Sequence, residues 1–439
     1  MKKIFIKLSV MLLTFSILLS LPGCNPASNN DSSPSSSQSD TNRSPIVNGE
    51  LKLGNSVDLM ANVNGNATTS RAPDERFIYS QADFGLKIFK MSLSNEENSL
   101  ISPLSIMLAL AMTANGAEGE TLAQMEALLG GDIPLSELNE YLCTYVSSLP
   151  SSEFSRLELA NSIWFRDSET AIKVNESFLQ KNADYYGASA YKAPFNKSTV
   201  NDINDWVNYH TDGMIPKIID EIPPSAVMYL INALCFDAEW AAPYNNEYDV
   251  YDGSFYGLSG TTDAELMRSG EDLFVSDENA RGFIKRYRNG YSFMAILPNE
   301  GISLSDYIDT LEGDDLVKLF NNAEYVEVNA TLPKFKYEYS VSLNDALKAL
   351  GMEKAFYGGF GNLGESQLGE IFISNIAHKT FIEVNNMGTK AAAVTDVEMG
   401  VESCPSRIET VTLDRPFLYA IVDNETGLPV FIGTLLDIQ

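Results

Sequence analysis

Histidine is nearly missing from this chain, with two residues in 439, at positions 210 and 378. Imidazole is the commonest metal ligand and general base, so zinc, haem and triad chemistry have little to build on. Positive charge is scarce too: 30 Lys and Arg stand against 59 Asp and Glu, a formal net charge of −29. A surface this acidic repels phosphate backbones and argues against nucleic acid as a partner. The four cysteines, at 24, 143, 235 and 404, form no CxxC and no disulfide framework. No GxSxG elbow, HExxH, GxxxxGK[ST] or GxGxxG is present. A hydrolase therefore has no recognisable site, and no metal or cofactor is expected. His210 lies in the polar stretch WVNYHTDG, near a helix end. His378 sits among apolar strand residues and reads as a hydrogen-bonded core histidine rather than a base.

Long apolar runs are also missing, apart from one at the start. MKKIFIK supplies positive charge and Leu8 to Leu21 a mainly apolar run, too short to span a bilayer comfortably. Leu21-Pro22-Gly23-Cys24 follows and resembles a bacterial lipoprotein signal, although Pro22 is unusual there. Residues 1–23 are expected to be removed and the Cys24 thiol lipidated. The alternative is a plain secretory signal, and either reading exports the protein. From 24 to about 73 the chain is rich in Ser, Asn, Asp and Pro, and is expected to be a flexible tether. The pattern becomes globular at Asp74 and stays so to Gln439, which makes one folded domain of 74–439.

Helical and strand patterns occur in separate runs without βαβ alternation, which suggests an α+β fold. Ser102-Pro103 opens a helix with a capping serine and a proline at the first helical position. IMLALAM is apolar on nearly all sides, so this helix is expected to be buried, ending near Gly116. Leu343, Ala346, Leu347 and Leu350 share a helical face before Gly351. Val326, Val328, Ala330 and Leu332 alternate with polar residues as in a half-buried strand. Tyr229 to Trp240 is a nearly continuous apolar run, the pattern of a strand buried on both faces. Phe372 to Val384 is another strand, and FLYAIV with PVFIGTLL a hairpin across Asp423–Gly427.

One stretch reads two ways. NNMGTKAAAVTDVEMGVESC has a loop's composition and a strand's periodicity. Thr389, Ala391, Ala393, Thr395, Val397, Met399 and Val401 share one parity and carry no charge. Every charge from Lys390 to Glu402 falls on the other. No proline interrupts 389–404, so each residue there can donate to a ladder. Gly388 supplies a hinge, and Cys404 is expected to be exposed and oxidisable.

This stretch also carries a resemblance. HKTFIEVNNMGTKAAAVT resembles the strand and hinge of the serpin family. NSLISPLSIMLALAMTANGAEGETLAQM, WVNYHTDGMIPKII, LINALCFDAEW, LPKFKYEYSVSLNDALKALGMEKAF and DRPFLYAIV with PVFIGTLL resemble further family segments, in family order. The resemblance covers essentially all of the globular part. It implies three β-sheets, eight or nine helices and an exposed reactive-centre loop. It implies no enzyme but a suicide-substrate inhibitor of serine, and by extension cysteine, endopeptidases: the cleaved loop inserts into a sheet and traps the acyl-enzyme.

By the same resemblance Gly388, Thr389, Lys390, Ala391, Ala392, Ala393, Val394 and Thr395 form the hinge. The usual loop length places the reactive bond at Glu402–Ser403. Met399 and Val401 are alternatives suited to subtilisin- or elastase-like proteases. Ser102, Ser105, Asn232 and His378 match a polar cluster under the opening sheet, and Trp240 the tryptophan where the loop enters. Two departures stand out: Asn386 where the family has an acid, and Val394 where it has a small residue. Asn386 is the support for the alternative reading, a non-inhibitory surface binding protein. The expected partners are a target endopeptidase and, through the lipid alone, a membrane. The chain is expected to be monomeric, at the cell surface or in the periplasm.

Overall fold

The computed structural model describes residues 46–47, 50–167, 172–367, 369–390 and 407–438. Cys24 and the loop positions Ala391 to Thr395, Glu402, Ser403 and Cys404 lie outside them. The architecture is α+β, with nine α-helices among the described residues. The Pro103–Ala114 helix starts as its sequence requires: Ser102 Oγ accepts the Ser105 N–H at 3.2 Å, and Pro103 occupies the first turn. All of its residues are buried, which matches an apolar pattern without a polar face.

That helix lies under a seven-stranded sheet. In chain order its strands are β1 Val57–Asp58, β2 Ser155–Arg166, β3 Ser189–Ala193, β4 Met228–Glu239, β5 Phe335–Ser342, β6 Asn375–Val384 and β7 Gly388–Thr389. Their spatial order is β5-β6-β7-β4-β2-β3-β1. β4 is buried on both faces. Leu230, Leu234 and Phe236 enter the main core, while Ile231, Ala233 and Cys235 enter a second apolar layer with Ile203 and Trp206 of the Lys197–His210 helix. A continuous apolar run fits only such a doubly covered position.

The second large assembly has nine strands. The 17-residue strand Gly260–Ser276 pairs with Val250–Gly257 over its first half, with Glu324–Pro333 from Leu266 to Phe274, and with Ala280–Arg286 at its end. A bulge between Glu271 and Leu273 shifts the register of its pairing with Glu324–Pro333. One long strand thus ties three neighbours into a single nine-stranded assembly. The C-terminal hairpin forms from Phe417–Asp423 and Pro429–Leu435, as the two apolar runs flanking Asp423–Gly427 predict.

Two sequence expectations are corrected. The tether was expected to run to residue 73, but the packed body begins earlier. β1 pairs with β3 and forms the edge of the seven-stranded sheet, and Gly54 N–H, Asn55 N–H and Ser56 Oγ all donate to the buried carboxylate of Asp202, at 2.8, 3.1 and 2.6 Å. Leu51, Leu53, Leu59, Met60 and Val63 pack against the two cores. These spaced apolar residues are diluted by the Ser- and Asn-rich composition around them. The strand expected from Phe372 begins at Asn375, because the N–H groups of Ile373 and Ser374 go to Ala355 and Met228 carbonyls instead.

Candidate functional site

The seam between β6 and β4 organises the site. The two strands pair in parallel over Asn375–Thr380 and Tyr229–Leu234. Farther along they diverge, and β7 lies between them, antiparallel to both: Gly388 faces Glu239, and Thr389 faces Ala238 on one side and Val384 on the other. The sheet is closed at one end and wedged open at the other.

A polar cluster bridges the closed end. His378 of β6 is in register with Asn232 of β4, and its Nδ1 bonds Asn232 Oδ1 across the seam. Its Nε2 accepts the Ser102 N–H at 3.1 Å, so the proton must sit on Nδ1. Asn232 Nδ2 donates to Ser105 Oγ and to Asn161 Oδ1, both at 2.6 Å. Ser102, Ser105, Asn232 and His378 are all fully buried. Burial pushes the His378 imidazole down to about 3, so it is neutral at ordinary pH. The four residues expected in one cluster meet here, joined by Asn161. Asn161 escaped notice because it lies in a strand with no motif; its register opposite Asn232 is what recruits it.

The wedged end is a grip on the hinge. Asn385 to Gly388 form a tight turn in which Asn385 Oδ1 accepts the N–H groups of Met387 and Gly388 at 2.8 and 3.2 Å. Trp240 donates from its backbone to the Met387 carbonyl and from Nε1 to the Asn385 carbonyl, both at 2.9 Å. The Tyr244 N–H reaches the Asn386 carbonyl at 2.8 Å. Position 386 is therefore held by its backbone, and its side-chain identity is not what anchors the turn. Gly388 is needed for closeness rather than for an unusual φ: a Cβ there would lie 2.0 Å from the Ala238 carbonyl oxygen. Thr389 is 1% exposed, and its hydroxyl meets that of Tyr287 at 2.5 Å. Tyr287 stacks on Trp240, with centroids 4.4 Å apart. Lys390 ends the pairing with a φ of 51°, and its N–H donates to the Glu383 carbonyl at 2.7 Å. Left-handed backbone is disfavoured for any residue that carries a Cβ, which crowds the following carbonyl.

The wedge thus sits at the mouth of a seam bridged by a buried polar cluster. A family description, Serpin (serine protease inhibitor), matches residues 79–438. The chain belongs to the serpin family. Among similar proteins, human neuroserpin is 27% identical over 84% of this chain and 93% of its own length. An uncharacterized serpin-like protein of Thermococcus kodakarensis is 28% identical over 81% and 84%. Among solved structures, the thermophilic serpin tengpin in its native state is 49% identical, covering 88% of this chain and all of its own, with a TM-score of 0.84. Tengpin in its latent state gives 0.75 at 50% identity, over 84% of this chain and all of its own. This serpin thus matches the native form more closely than the latent one. Of the expected hinge, the structure describes Gly388, Thr389 and Lys390.

Proposed function

We propose that this serpin inhibits endopeptidases of the serine class, and by extension the cysteine class, by inserting its cleaved loop between β4 and β6. The observation that carries this reading is the register of β7. Thr389 opposite Ala238 and Val384 fixes where each following residue would go in a continued antiparallel strand. Ala391 would meet Phe236 and Ile382, and Thr395 would meet Asn232 and His378. The uncharged parity would then face the main core beside Leu234 and Phe236. The charged parity would face the Lys197–His210 helix, the side on which Lys390 already acts on Asp237 and Cys235.

Thr395 would replace the His378–Asn232 bond with two new neighbours, so opening the cluster and filling the seam are one event. A strand from Thr389 to Val401 at ~0.5–1.5 kcal/mol per backbone hydrogen bond gains on the order of 10 kcal/mol, comparable with the net stability of a whole domain. The reactive bond is assigned to Glu402–Ser403, which suits a protease with a basic specificity pocket. Lipidation of Cys24 would place the inhibitor on a membrane surface outside the cytoplasm.

The test mixes the serpin with a panel of serine and cysteine endopeptidases. An SDS-stable covalent complex, with mass spectrometry placing the cut after Glu402, is the expected result. If every protease cuts the loop and stays active, and the cut protein melts no higher than the intact one, the inhibitory reading fails.

A further inference from the structure

Lys285 is a buried cation at the mouth of the seam, and the trapping scheme makes no use of it. It lies on the Ala280–Arg286 strand and is 1% exposed. Its Nζ sits 4.3 Å from the centre of the Tyr244 ring and 5.5 Å from that of Trp240. Its counter-ion is Glu271, whose Oε1 is 2.8 Å away on the Gly260–Ser276 strand; the two side chains are 2% and 11% exposed. Ser269 Oγ donates to the same carboxylate oxygen at 2.6 Å. Burial works to deprotonate the ammonium, but Tyr244 and Glu271 more than reverse that and raise its pKa.

A buried ion pair of this kind is a weak route to stability, because desolvating both charges offsets their attraction. What it does provide is position. The two rings it faces belong to the residues that grip the hinge turn: Trp240 through the Asn385 and Met387 carbonyls, Tyr244 through that of Asn386. Trp240 also stacks on Tyr287, which holds Thr389. The ammonium therefore backs each of these contacts. Its carboxylate comes from the body of the protein, whereas position 386 in the moving turn is neutral. The charge pair stays in place when the hinge advances.

We propose that Lys285 and Glu271 are positioning residues, a fixed latch that holds the aromatic grip and sets how readily the uncut hinge moves into the seam. The proposal rests on the trapping reading and predicts a kinetic effect separate from global stability. The experiment uses the full chain with E271Q, K285M and the conservative K285R. Intact protein is held well below its unfolding temperature, and conversion to a loop-inserted form is followed by the loop's loss of susceptibility to a non-target protease. E271Q and K285M are expected to convert at least about tenfold faster than the parent, with K285R close to it. The number of inhibitor molecules consumed per protease inactivated should shift in the same order.

The latch is overturned if E271Q and K285M convert at the parental rate, or if they only lower the urea midpoint while conversion and that consumption number stay put. A different outcome marks failure of the trapping reading itself: the parent protein gains no thermal stability when its loop is cut. Measuring that gain first keeps the two failures apart.

Discussion

Replacing Thr389 by arginine should separate folding from trapping. In the uncut protein β7 contributes two paired residues and the Thr389–Tyr287 hydroxyl contact. If the hinge withdraws to spare the new side chain, those few bonds are lost, roughly 1–2 kcal/mol at ~0.5–1.5 kcal/mol each. In the inserted form withdrawal is impossible. Position 389 is 1% exposed and faces Tyr287, and the nearby cation Lys285 is already committed to Glu271. An unpaired guanidinium there costs several kcal/mol. A penalty of ~4 kcal/mol carried into the insertion step slows it by about three decades, enough for hydrolysis of the acyl-enzyme to win. T389R should therefore unfold in urea almost where the parent does, yet be cut as a substrate and release active protease. SDS gels of protease mixtures, with residual protease activity, give the readout. A T389R protein that still forms the covalent complex in parental yield would refute the placement of β7 as the leading edge of insertion.

The acid response should be dominated by His378. Its folded pKa of about 3 lies below the ordinary 6.5, so the unfolded chain binds a proton that the fold refuses. Stability is then intact above pH 6.5 and falls as the pH drops, by ~1.4 kcal/mol per unit and roughly 2 kcal/mol at pH 5. Urea midpoints at pH 7 and pH 5 should show this loss, and H378Q should remove most of the difference. Asp202→Ala leaves Gly54, Asn55 and Ser56 without their acceptor. It should free the segment around β1, seen as faster amide exchange and new proteolytic cuts before residue 64, at a loss of roughly 1.5–3 kcal/mol. Cys24→Ser should move the protein from the membrane fraction to the soluble one and abolish incorporation of a labelled fatty acid.

The elements read most clearly from sequence were those with one dominant signal. The Ser102 cap and the all-apolar helix after it needed no tertiary context. The hinge parity was visible because every charge fell on one face. What stayed hidden was set by pairing across long stretches of chain. Asn161 joins the polar cluster through its register with Asn232, 71 residues away. Lys285 looks like a solvated charge until Glu271, 14 residues earlier, is seen across the strand from it. The segment 50–73 was missed because composition averages over a window, whereas a carboxylate such as Asp202 acts at three particular atoms. Gly388 was expected for its freedom of φ and is needed because a backbone passes close by.

Lys390 has a consequence in time. Its left-handed φ of 51° is a single-residue conformation, and such rotations in loops take nanoseconds to microseconds. The turn that stops β7 is therefore no durable obstacle. On the proposed trapping scheme, an uncut chain anchored again at Ile408, where the next strand begins, would pull back each excursion of Lys390 into an extended shape. Severing the loop would, on that scheme, remove the return pull and leave the rotation free. Direction would then come from a covalent event, and the pace from how fast Asn232 and His378 let go of each other.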